Sequence, residues 1–209
     1  MCYHDYNMGR KVKGKHIVLI SAIITFISFA YKMGLGIYTQ SLVLMIASIS
    51  TLMVFICKVA FVKTAGADRS KKKKGYLVMA VSALVYSLIF ILFVVLKISG
   101  IDISKENTYE GWFALIFIAF ILLMFILSII NLVGALEKND IIVIGLKEMT
   151  FISALTDVVI IQAFISRIIL AYKDIDIIYT IDSYLPLAIG VIMVIVSVTM
   201  IKRFLKYES

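Results

Sequence analysis

Six stretches of about twenty or more mostly apolar residues, separated by short charged connections, run through this chain. A helix needs about 20 such residues to cross the hydrocarbon of a bilayer, and a repeated pattern of this length leaves few other folds open. The spans fall at 17–38, 41–62, 76–98, 112–136, 149–172 and 184–204. Composition closes the alternatives. The 209 residues are 62% hydrophobic and 16% charged, with a mean hydropathy of +1.05. A soluble domain has about 45–50% apolar and about 25% charged residues, and no soluble core hides such an excess. Intrinsic disorder requires low hydrophobicity and is excluded with it. A single proline, Pro186, removes collagen-like and proline-rich classes. The fold class expected is an all-α membrane protein with six transmembrane helices. A basic tail (1–15) precedes one membrane domain (16–205), and a short tail (206–209) follows it.

The charged residues orient the chain. Arg10, Lys11, Lys13 and Lys15 precede the first span; Lys63, Arg69 and Lys71 to Lys74 follow the second; Lys138 and Lys147 lie between the fourth and fifth; Lys202, Arg203 and Lys206 end the sixth. The alternate side holds Lys32, Lys97, Lys105 and Lys173 among acidic Asp102, Glu106, Glu110, Asp174, Asp176 and Asp182. Positively charged loops stay in the cytoplasm, so both termini are expected there, which requires an even number of spans. Tyr38, Tyr109, Trp112, Tyr172, Tyr179 and Tyr184 fit an outer aromatic belt. The first two spans are so close that they must form a tight antiparallel hairpin. Pro186 is expected in the first turn of the sixth helix, where its missing N–H is not needed. A second reading of the first span is a signal peptide ending near Ser28-x-Ala30, whose removal would leave five spans.

The net charge of +8 belongs to these loops, not to a stripe with interleaved aromatic platforms, so nucleic-acid binding is not expected. Lys71, Lys72, Lys73 and Lys74 read as a topology anchor against anionic lipid, worth about 1 kcal/mol per charge. The bilayer is the expected partner, with a second copy or another membrane protein also open. Cys2 and Cys57 lie far apart and form no metal-ligand pattern; no metal or cofactor is expected. His4 and His16 sit in or beside the tail, and no hydrolase or phosphate-loop motif occurs, so no enzymatic activity is expected.

Ionisable groups within spans carry the functional argument. Lys58 lies about a turn from the inner end of the second span and Arg167 near the outer end of the fifth, so each can extend toward water. Asp157 is about 15 Å from Lys147 and about 22 Å from Tyr172 along a helix, too far for a short side chain to reach water. It must be uncharged or have a partner. Thr150, Ser153 and Asp157 are spaced i, i+3, i+7 and share a face. Ser41, Ser48 and Thr51 share one on the second span, with Thr51 at nearly the depth of Asp157. If these helices touch, Asp157, Ser153, Thr150, Thr51 and Ser48 form a polar site near the midplane. The plainer reading of the hydroxyls is interhelical bonding at about 1 kcal/mol each. Gln162, on another face, is expected to make an interhelical hydrogen bond.

These residues bring a family into view. The stretch from Tyr31 to Thr51, with Lys32, Gly34, Gly36 and Ser41-Leu-Val-Leu, resembles the first hairpin of cation diffusion facilitators. Gly75-Tyr76, Asn131 and Lys147-Glu148 followed by Ser153-x-x-x-Asp157 fit the same resemblance, which implies a six-helix bundle with a cation site between the second and fifth helices. The family's paired His or Asp ligands correspond here to Thr51 and Phe55, and to Ser153 and Asp157, so only Asp157 keeps a ligand type. Zinc needs four nitrogen, sulfur or carboxylate ligands, so zinc export is not expected. The family's carboxyl-terminal domain has no counterpart before Ser209. The chain is also similar to uncharacterised six-span bacterial membrane proteins, which implies a bacterial plasma membrane. Two functions stay open: a structural or partner-binding protein with a transporter-like bundle, and a small cation- or proton-coupled transporter with Asp157 as the titrating group.

Overall fold

In a computed structural model, backbone is described for residues 2–38, 40–64, 68–99, 112–137, 140–172 and 176–206. Side chains are described for 18–38, 40–64, 68–99, 119, 121–137, 140–166, 169 and 183–206. These residues form helices α1 (Cys2–Tyr38), α2 (Leu42–Thr64), α3 (Arg69–Ile98), α4 (Trp112–Leu136), α5 (Ile141–Tyr172) and α6 (Asp176–Lys206). There is no strand among them. In lipid every backbone N–H and C=O must be satisfied within the segment, and the helix does this.

Within the described residues, five helices are long and apolar enough to cross a membrane, and α4 contributes a shorter apolar stretch, Ile121–Leu136. The fold is that of a helical membrane protein with several spans. The 23 residues of α2 measure about 35 Å, against about 30 Å of hydrocarbon. Large apolar side chains such as Ile24, Ile27, Leu92, Leu123, Ile130 and Ile195 stand outward, as lipid-facing positions require.

Several helices extend past the expected spans. Helix α1 already includes residues 2–15, and Lys71–Lys74 lie in the first turns of α3 instead of a loop. Lysine is a good helix former, so a helix leaving the hydrocarbon has no reason to stop there. Lys72 Nζ pairs with Asp140 Oδ2 at 3.0 Å, and Lys73 lies over the Phe204 ring. Asp140 also caps α5, accepting from the Ile142 N–H at 3.1 Å. Because α6 starts at Asp176, Pro186 lies inside the helix and not in its first turn. Its ring leaves the carbonyl four residues back without the helical N–H.

The α1–α2 connection is a tight reversal. Ser41 N–H donates to Gly36 O and Gln40 N–H to Ile37 O, with Gln40 at φ 54°. This is the Schellman pattern, in which one left-handed residue ends a helix. Ser41 then caps α2 through its hydroxyl.

Helix α5 is central, packing on α2, α3, α4 and α6, while α3 also pairs with α6. Small residues make the close approaches, because lipid tails remove the hydrophobic gain of bringing helices together. Ala47, Ala80 and Ala83 are fully buried, and a Cβ at Gly145 of α5 would meet the Tyr76 ring at 2.6 Å. Helices α1 and α4 are peripheral: among the described residues α1 packs on α2, and α4 on α5.

Candidate functional site

Asp157 lies 16 residues after Ile141 and 15 before Tyr172, at the middle of α5. Its partner is Lys32 of α1, whose Nζ donates to Asp157 Oδ1 at 2.5 Å. Lys32 Nζ also lies 3.2 Å from Thr51 Oγ1 of α2. Thr51 in turn donates to the Ala47 carbonyl at 3.0 Å, so its oxygen is oriented to accept from the ammonium. The Lys32 side chain is 8% exposed and that of Asp157 16%. Lys32 therefore does not belong to the outer surface where its place in the sequence put it. Side chains on a helix lean toward its N-terminus. For Lys32, six residues before the end of α1, that direction is into the bundle. The carboxylate that cannot reach water is met by a cation that turns inward.

Around this pair lies a buried polar layer. Ser50 Oγ donates to Ala47 O at 2.7 Å and is 3.1 Å from Ser153 Oγ, which joins α2 to α5. Tyr86 of α3 donates to Ile46 O at 3.2 Å and is 3.2 Å from Thr156 Oγ1, beside Asp157. Ser87 meets Ser197 of α6 at 3.2 Å. Of the residues expected to assemble, Thr51, Ser153 and Asp157 come together in this layer. Thr150 donates to its own helix at Leu146 O. Ser48 turns to α1, donating to Met45 O at 2.6 Å with Met33 Sδ 3.5 Å away. Gln162 Nε2 donates to Ser166 Oγ within α5 at 3.4 Å. Asn131 bonds Leu127 O on an exposed face of α4. Arg167 lies outside the described side chains.

The first span holds a stripe that the reading of the second and fifth missed. Ser21, Thr25, Ser28 and Lys32 recur at i, i+4, i+7, i+11 on one face of α1. This spacing was the available signal. Lys58 of α2, seven residues from Thr51, meets the same stripe. Its Nζ donates to Thr25 Oγ1 at 2.5 Å, to Ser21 Oγ at 2.8 Å and to Ser21 O at 3.3 Å. It does not extend to water, because neighbouring oxygens satisfy all three of its hydrogens. Polar groups thus run from the basic end of the bundle to the central ion pair along α1, α2 and α5.

A second ion pair occupies the opposite face of α5. Glu148, nine residues before Asp157, is buried and accepts from Arg203 of α6 and from Tyr76 Oη of α3 at 3.2 Å. This network ties three helices near their basic end. No group of three or more His, Cys, Asp or Glu side chains able to hold a metal occurs among the described residues. Cys57 is buried with a free thiol. No protein family, curated protein or solved structure matches the chain.

Proposed function

We propose that this chain is a small proton- or cation-coupled transporter of a cell membrane in which the Lys32–Asp157 pair is the exchanging site. It would have six spans, with the basic end of the bundle and both termini in the cytoplasm. The observation that carries the reading is the position of the ion pair: mid-bundle, at the end of a polar stripe that starts at the basic end. A buried ion pair is weak as a stabiliser, because desolvating two charges offsets their attraction. Ionisable groups kept within a membrane mark ion pathways and relays.

The chemistry follows from the contacts. A proton on Asp157 removes the charge that holds Lys32, leaving Thr51 as the ammonium's remaining described acceptor. Helix α1 packs on α2 and reaches α5 through this pair, so protonation loosens the α1–α2 hairpin from α5. A cargo cation acts at the same place, displacing the ammonium from the carboxylate. Where a cation diffusion facilitator would hold a metal against Asp157, Lys32 supplies a resident cation, and zinc is an unsuitable cargo.

The test is flux in proteoliposomes under an imposed pH gradient, read with an internal pH dye, with sodium, potassium and no added cation as arms. Asp157→Asn is expected to abolish proton movement while the protein stays monodisperse, and Asp157→Glu to retain part of it. Full flux in Asp157→Asn would end the proposal. A second reading, a structural bundle that binds a partner, is favoured by the balance of the Asp157 charge against Lys32; it is the conclusion if no gradient moves any ion in the wild type.

A further inference from the structure

A proton and a metal cation meet different surroundings at Asp157. A hard metal cation binds through a shell of about six or more oxygens. Oxygens close to Asp157 are already engaged. Lys32 Nζ donates to Asp157 Oδ1 at 2.5 Å. It also lies 3.2 Å from Thr51 Oγ1, whose own proton goes to Ala47 O. Ser153 Oγ lies 3.1 Å from Ser50 Oγ. Thr156 donates to Ile152 O, and its oxygen is 3.2 Å from the Tyr86 hydroxyl. The ammonium adds a second obstacle. A monovalent cation on the carboxylate, with the displaced ammonium about 4 Å away, is disfavoured roughly a thousandfold at an effective dielectric constant of about 20. The polar stripe that leads to the pair also carries a cation, since Lys58 donates to Ser21 and Thr25.

A proton meets neither obstacle. Delivered by hydronium, it forms one O–H bond on a carboxylate oxygen, releases a water and removes the charge of Asp157. The neutral acid still offers a carbonyl oxygen as an acceptor, and Thr51 stays beside the ammonium. No oxygen shell is assembled and no cation is expelled. The other helices leave this balance to Lys32. On α2 the first charged residue toward the basic end is Lys58, seven residues from Thr51. On α3 Tyr86 faces the same layer through Thr156. The described charged side chains of α3 and α6 lie toward their helix ends, and α4 has none along its length. On α5 itself Glu148 is held by Arg203.

We infer that the Asp157 site takes up protons and refuses metal cations, and that Lys32 is the residue that sets this selectivity. The inference rests on Asp157 as the exchanging group and narrows its cargo to the proton. A fixed ammonium occupies the position a metal would need, while a proton binds the carboxylate without requiring that position.

The experiment is modification of the purified full chain in detergent by dicyclohexylcarbodiimide, which reacts with a protonated carboxyl group in apolar surroundings. Labelling of the Asp157 peptide is read by mass spectrometry across a pH series. Sodium, potassium or magnesium chloride is compared with choline chloride at matched ionic strength. In the wild type labelling is expected to rise as pH falls, with the same curve in every salt. In Lys32→Gln, which removes the ammonium, sodium or potassium is expected to lower labelling about fivefold against choline. Lys32→Arg restores the charge and with it the indifference to salt. Wild-type labelling that is absent or flat with pH overturns the inference, as does wild-type labelling suppressed by a metal cation. A folded Lys32→Gln that stays indifferent to every salt also overturns it. If that variant does not fold, the wild-type curves alone decide. Binding is read without flux, so a failure here is distinct from a failure of the transport reading, which the proteoliposome assay decides.

Discussion

At the scale of single residues, Asp157 shows how far one side chain can be read without its surroundings. Its depth follows from the helical rise, and from depth the need for a partner. The partner itself was not legible. Lys32 lies 125 positions away and close to a span end, where a lysine ordinarily turns outward. Removing one member of a buried pair leaves the other charge uncompensated, which costs about 3–5 kcal/mol. Lys32→Met and Asp157→Leu are each expected to lower the unfolding midpoint in detergent strongly. The double variant is expected to recover most of the loss, because an apolar pair fits this environment. If the double variant loses the sum of the two, the charges do not interact as described.

Among elements, the glycines separate helix contacts from lipid-facing surface. A Cβ at Gly145 would stand 2.6 Å from Tyr76 Cδ2 and 2.9 Å from Cε2, and the Tyr76 hydroxyl is held by Glu148, so the ring has little room to move. Gly145→Ala is expected to destabilise by about 1–3 kcal/mol through overpacking of α3 on α5. Gly134 of α4 has no neighbour within 4 Å. There Gly134→Ala is expected to stabilise by roughly 0.5–1 kcal/mol, because the helix gains propensity without a clash. Matched unfolding curves check both, and equal effects would contradict the packing. The α1–α2 reversal offers a third case. Gln40 occupies a left-handed conformation that glycine adopts without a Cβ penalty. Gln40→Gly is expected to raise stability by about 1 kcal/mol in the same assay. Helix positions were readable from apolar runs, but their ends were not. The lysines of α3 and the start of α6 lie outside the apolar runs yet within helix, because a helix can continue beyond its apolar stretch.

For the molecule as a whole, the proposed topology makes a direct prediction. Reporter fusions at the two ends, and at the basic α2–α3 connection, are expected to read cytoplasmic, while one in the α3–α4 connection reads external. An external signal from either terminus would remove the six-span arrangement and the direction assigned to the polar stripe. Under the proposed transport, α1 is the element most suited to move. It packs on α2 alone among the described residues, and its link across to α5 is an ion pair that a proton can cancel. By contrast α3, α5 and α6 are tied by Tyr76, Glu148 and Arg203.

Membrane residence, the number of apolar stretches and the depth of Asp157 were all present in the linear chain, since each depends on local hydrophobicity or on a fixed rise per residue. The choice of Lys32 as counter-ion, the turning of Ser48 away from Thr51 and the meeting of Glu148 with Arg203 were not. Those depend on which helix faces pack together, and in lipid that choice rests on small-residue contacts and hydrogen bonds between positions far apart in the chain.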